Sequence, residues 1–266
     1  MLHVSIKPEV VFFIKGFPIT NSFLTSIIVL IVTFILGLYF SKNINSPTSK
    51  LVFFIRYCLS LLHSTFETIL GPLHEKAFPL LVSFFFFILF SNWFGLLPGV
   101  GSITITPFTN EQSVKESHVT DQKEVEAKEE IHERIPLLRG ATADLNTTIA
   151  LALVAFAMIQ FYGFTTLGFA GYAKKFINLT NPINFFIGIL ELVSEFSKIL
   201  SFAFRLFGNI FAGEVLLGVI AFLIPVLASF PFLIMEVFVG LVQALVFSML
   251  TGVFISSAVQ GHDDHH

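Results

Sequence analysis

The sequence predicts an all-α, polytopic membrane protein: five membrane helices, the last two a long, strongly tilted hairpin, plus one interfacial amphipathic helix. Three observations predict it. The 266 residues are 55% hydrophobic and only 12% charged, and a mean hydropathy of +0.84 lies outside the range of soluble globular domains. The apolar residues gather in runs of about twenty or more, the length that crosses roughly 30 Å of hydrocarbon at about 1.5 Å per residue. The last two runs are too long to cross upright.

The first span covers residues 20–40 and ends at "SKNINSPTSK". Residues 51–73 follow, apolar but interrupted by Arg56, His63 and Glu67, a pattern that suits an interfacial helix better than a crossing. Residues 77–98 form the second span, with Asn92 and Trp93 near its far end. Residues 111–139 hold eight acids and five Lys or Arg, while outside them the charges balance. That segment reads as a solvated extramembrane insertion with no assigned role.

The third span, 145–170, begins at "ADLNTTIALAL", where Asp144 and Asn146 serve equally well as helix caps or as channel groups. Lys174 and Lys175 close it. Together with Lys42, Lys50, Arg56 and Lys76 they put positive charge on one side, the cytoplasmic side by the positive-inside rule. The apolar stretches 182–221 and 224–259 then form the hairpin, hinged near Pro225 and Pro231. A helix of about forty residues is about 60 Å long and must tilt steeply to stay in a bilayer.

Ionisable residues inside a bilayer cost roughly 2.5–3.5 kcal/mol each at the helix centre, so each needs a partner or a task. The hairpin carries Glu191, Glu195, Lys198, Arg205, Glu214 and Glu236, with Asn209 and Gln243 as amides. Glu195 and Lys198 are spaced as an internal pair. At 100° per residue Asn209 shares a face with Arg205, whereas Glu214 points to the opposite face. Glu236 and Gln243 share a face of the second helix, and Gly240 between them permits close backbone approach. Two separate polar surfaces follow. Glu214 and Glu236 lie near each other if the helices pack antiparallel, and they can exchange protons; Arg205 holds its proton and can only attract anions or repel cations.

At these residues the chain resembles subunit a of the rotary ATP synthases. "RLFGNIFAGE", from Arg205 to Glu214, is similar to the family signature around its essential arginine, and "ELVSEFSKILSFAFR", "LVQALVFSMLTGVFISSA", "NWFGLLP" and "ADLNTTIALAL" extend the likeness. Residues 1–76 fit mainly by arrangement. The resemblance implies two offset half-channels that load and unload protons on a ring of c subunits. It implies Arg205 as the divider, Glu214 and Glu236 in the outer half-channel, Asn209 and Gln243 near the arginine, and Glu191 at the inner exit. Glu195 has no such match.

The same likeness implies b subunits of the peripheral stalk and the remainder of the synthase as partners, and an outside N-terminus with a cytoplasmic C-terminus. Glu236 stands where some relatives carry histidine, and Gly95 where some carry aspartate. Glu214, where mitochondrial relatives tend to have histidine, favours a bacterial or plastid-like member, and of these a bacterial plasma membrane is the expectation.

Other classes fit less well. An independent ion-coupled secondary transporter would show matched inverted halves with broken helices. An intramembrane metalloenzyme would cluster its ligands within spans, yet His63, His74, His118 and His132 sit at edges or in the charged segment. No phosphate-binding loop is present, so a non-catalytic subunit without cofactor, metal or nucleic-acid partner is expected, with ATP chemistry left to other subunits. The sequence leaves proton versus sodium coupling open. Cys58 reads as an inert thiol, the "GHDDHH" tail as solvated, and the N-terminus lacks the features of a removable signal peptide.

Overall fold

The computed structural model describes residues 8–14, 17–44, 49–97, 100, 103–105, 135–176, 182–223 and 229–260. Pro225, most of the acidic insertion and the "GHDDHH" tail lie outside the described residues, as do the side chains of Lys174 and Lys175. Among the described residues six helices dominate: α1 (Asn21–Asn43), α2 (Lys50–Leu70), α3 (His74–Gly95), α4 (Leu145–Phe176), α5 (Pro182–Leu223) and α6 (Ser229–Val259). Five helical stretches are long and apolar enough to cross a membrane, with α2 and α3 counted as one run from Lys50 to Gly95.

The outer surface matches that solvent. On α1, Leu30, Phe34 and Ile35 are more than half exposed, as are Phe186, Val193, Phe196 and Phe204 on α5. So much exposed apolar surface is untenable in water and ordinary against lipid or a partner helix. α2 buries Val52, Ile55, Leu62, Phe66 and Leu70 at helical spacing, while its far side mixes Phe53, Phe54 and Tyr57 with Arg56 and Glu67. Gly71 ends it at a φ of 52°, and a short 3₁₀ turn leads straight into α3.

The core lies where α3, α5 and α6 converge. The Phe247 ring of α6 sits 5.5 Å from Phe84 and 4.8 Å from Phe202, with Leu81, Ile88, Leu206 and Ile255 buried around it. α4 packs along α5, and α3 along α6. α5 and α6 run antiparallel, since Phe202 meets Phe247 while Asn209, further along α5, bonds Gln243, earlier on α6.

Two features are not apparent in the sequence. The expected third span, 145–170, contains one non-helical residue: Gly168 has φ 71° and ψ 160°, a conformation only glycine adopts readily, and the chain bends there. The bend returns Tyr172 against Gly163, where an added Cβ would come within 2.5 Å of the tyrosine ring. The end of the charged segment is also not solvated. Ile135–Pro136 pairs with Thr104–Ile105, and Arg139 is buried.

Candidate functional site

α5 carries polar side chains at three levels. Arg205 is exposed, and its guanidinium reaches Ser201 Oγ at 3.4 Å. Among the described residues it has no carboxylate partner. One turn on, Asn209 donates Nδ2–H to Gln243 Oε1 at 2.7 Å, tying the two helices together beside the arginine's level. Glu195 and Glu214 lie ten and nine residues to either side, about 15 and 13 Å along the axis.

At the end of the bundle that holds the N-termini of α1 and α4, a cavity of about 210 Å³ is lined by Asn92, Arg139, Gly140, Ile210, Glu214 and Glu236 among others. The expected neighbours Glu214 and Glu236 thus share one cavity. Glu236 is buried and lies directly against Gly213, so a Cβ at that position would overlap its carboxylate. Gly213→Ala is therefore expected to displace Glu236 and loosen the contact of α5 with α6, seen as a lower unfolding temperature in detergent; an unchanged temperature would show that the contact tolerates a Cβ.

Polar bonds brace this end. Asn92 donates to Gly240 O at 3.1 Å and accepts from the Thr142 hydroxyl at 2.7 Å, and Trp93 Nε1 donates to Val237 O at 3.0 Å. Gly240 does permit close approach, but its neighbour is Asn92 of α3, 3.1 Å from where a Cβ would stand. Asp144 caps α4 by accepting from the Asn146 N–H at 2.9 Å and accepts the Ser22 hydroxyl at 2.7 Å. Capping is its role here.

The opposite end holds a second polar group. Buried Glu195 pairs with Lys198 at 2.5 Å and accepts from Gln160 Nε2 at 3.0 Å, while the Tyr172 hydroxyl donates to Gln160 Oε1 at 2.5 Å. Burial first, then Glu195 and Glu191, push the Tyr172 hydroxyl up to about 12, against a smaller opposing effect of Gln160, so it stays a donor at working pH. Lys198 also rests 4.8 Å from the centre of the Phe254 ring. Glu191 is half-buried one turn before this cluster.

The model of the ATP synthase A chain family matches residues 22–256 of this chain. The chain belongs to that family. It is 32% identical over 235 residues to ATP synthase subunit a of Gloeobacter violaceus, covering 87% of this chain and 81% of that protein. It is 30% identical over 257 residues to ATP synthase subunit a of Mycobacterium tuberculosis, covering 93% and 90%. A relative from Propionigenium modestum, 31% identical over 250 residues and covering 92% and 76%, is an ATP synthase subunit a described as sodium ion specific.

Within this family member, the residues that sequence reasoning does not single out are Arg139, Gly213, Gln160 and Tyr172. Arg139 stands at the edge of a charge run. Gly213 offers no signal beyond its place next to Glu214. Gln160 and Tyr172 meet only because the chain bends at Gly168.

Proposed function

We propose that the chain is the proton-translocating stator subunit of a rotary ATP synthase, and that it forms two half-channels separated by Arg205. One observation carries this reading. Arg205 is a permanent charge on an apolar helix, on an exposed face, with no carboxylate partner among the described residues. No described carboxylate compensates it, and a carboxylate on a passing ring subunit would. The two polar groups then act as the access paths: Glu214 and Glu236 at one end, Glu191 at the other. Neither group lies on the arginine's level, so Arg205 stands between the two, with Ser201, Asn209 and Gln243 as its described polar neighbours.

The face around Arg205 suits a moving partner. Ser194, Ser201, Gly208 and Ala212 lie within about 60° of it at 100° per residue, and all are exposed. Small side chains let another helix approach closely, and nothing stands within 4 Å of a Cβ built on Gly208. The tilt of α5 follows from its 42 residues, about 63 Å. The subunit makes and breaks no covalent bonds. It works with the c ring, the b subunits and the rest of the complex in a bacterial plasma membrane, α2 lying along the inner surface, with the N-terminus outside and the C-terminus cytoplasmic.

A photo-crosslinker on Ala212→Cys, in a Cys58→Ser background, tests the partner in native membranes. Capture of a small two-helix ring subunit is expected. Labelling of lipid alone in an assembled complex would sink the reading.

A further inference from the structure

The cavity beside Glu236 holds a charge that the two half-channels do not require. Arg139 is buried, with its side chain only 8% exposed, and its Nη2 lies 3.3 Å from Glu214 Oε2, whose own side chain is 40% exposed. Its Nε is also buried and has no hydrogen-bond partner among the described residues. A guanidinium keeps its charge in any surroundings, and one so buried must be compensated. Among the described residues, the titratable groups on the cavity wall besides Arg139 are Glu214 from α5 and Glu236 from α6. Asp144, five residues on, is already engaged by Ser22 and the Asn146 N–H. The walls from α3 and the turn before α4 contribute Asn92 and Gly140, which carry no charge.

Two carboxylates and one guanidinium make an unequal trio. A proton placed on Glu214 strands Arg139 without its counter-charge; a proton placed on Glu236 neutralises the carboxylate that has no cation partner among the described residues. We propose that Arg139 is a positioning residue of the outer half-channel, holding Glu214 as its fixed counter-ion so that Glu236 is the group that takes up and hands on the proton. This rests on the stator reading above. It divides between two glutamates a task that their shared cavity would otherwise leave to either. Among the described residues the arginine's bonded partner is Glu214, and it acts through that carboxylate.

The test is ATP synthesis by the whole complex in proteoliposomes whose lumen, facing the outer half-channel, is loaded at a series of pH values. Removing the cation ends the pairing that fixes Glu214 as a counter-ion. Arg139→Gln is expected to move the half-maximal point of the pH profile to the alkaline side. Arg139→Lys should restore the wild-type profile. The shift should vanish when Arg139→Gln is made in a Glu214→Gln background.

A wild-type profile for Arg139→Gln in assembled complex, or a shift that persists without Glu214, overturns the proposal. If Arg139→Gln fails to assemble, Glu236→Gln beside an intact Arg139 decides: synthesis should be lost at every luminal pH because Glu214 stays paired, and pH-dependent synthesis that persists overturns the proposal. Arg205→Ala run alongside separates the two levels. If Arg205→Ala still makes ATP, the stator reading has failed; if it is inactive while Arg139→Gln matches wild type, only the role of Arg139 has failed.

Discussion

Arg205→Ala is expected to abolish ATP-driven proton pumping in vesicles while the complex still assembles, and to add a passive proton leak. The reasoning starts from where the side chain is. It lies on the exposed face of α5, bonded only to Ser201 among the described residues, so its removal breaks no salt bridge and opens no hole in the core around Phe247. Assembly should survive. What disappears is the fixed positive charge standing between the polar group at Glu195 and the cavity at Glu214, about 28 Å apart along the helix. On the proposed stator reading, an incoming ring carboxylate then has no reason to give up its proton, and a proton moving directly between the two ends meets no repulsion.

Arg205→Lys separates these two effects. It keeps the charge, and so should block the leak. A lysine cannot present the paired N–H groups of a guanidinium to a carboxylate, so pumping should fall about tenfold, the equivalent of losing one charge-assisted hydrogen bond of about 1.5 kcal/mol. Normal pumping in Arg205→Ala would make the residue a bystander and remove the basis for the divider.

Periodicity makes part of this site legible in the sequence itself. One face for Arg205 and Asn209, the opposite face for Glu214, and a shared face for Glu236 and Gln243 all follow from 100° per residue. Packing turns those faces into the Asn209–Gln243 bond and the cavity shared by Glu214 and Glu236. The Glu195–Lys198 pair is equally local, three residues apart on one helix.

The rest depends on how separate segments meet, which no spacing encodes. Arg139 looks like the tail of a solvated charge run, because composition cannot distinguish a buried guanidinium from an exposed one. Gly240 is a place of close approach, as its spacing suggests, but the approaching residue, Asn92, comes from a helix some 150 positions earlier. Tyr172 reaches Gln160 through a backbone angle at Gly168 that the sequence marks only as one glycine among 17.

Glu236→Leu is expected to stop proton transfer without opening a leak, and this contrast with Arg205→Ala carries the mechanism. Glu236 is buried, lies against the open flank of Gly213, and faces the same cavity as Glu214. Leucine is of similar size, so the cavity wall and the contact with α5 should persist while the exchangeable proton is lost. Removing a positioned proton donor or acceptor costs about 10²- to 10⁴-fold in rate, and pumping should fall at least to the lower figure. Passive permeability should stay at the wild-type level, because Arg205 still stands between the two ends.

Glu236→His should recover much of the rate, since an imidazole can also take up and release protons near neutral pH. Glu236→Gln should resemble leucine despite keeping the shape and polarity of the side chain. If glutamine pumps as well as glutamate, the cavity needs only a polar lining, water carries the proton through it, and the division of labour between Glu236 and Glu214 has no basis.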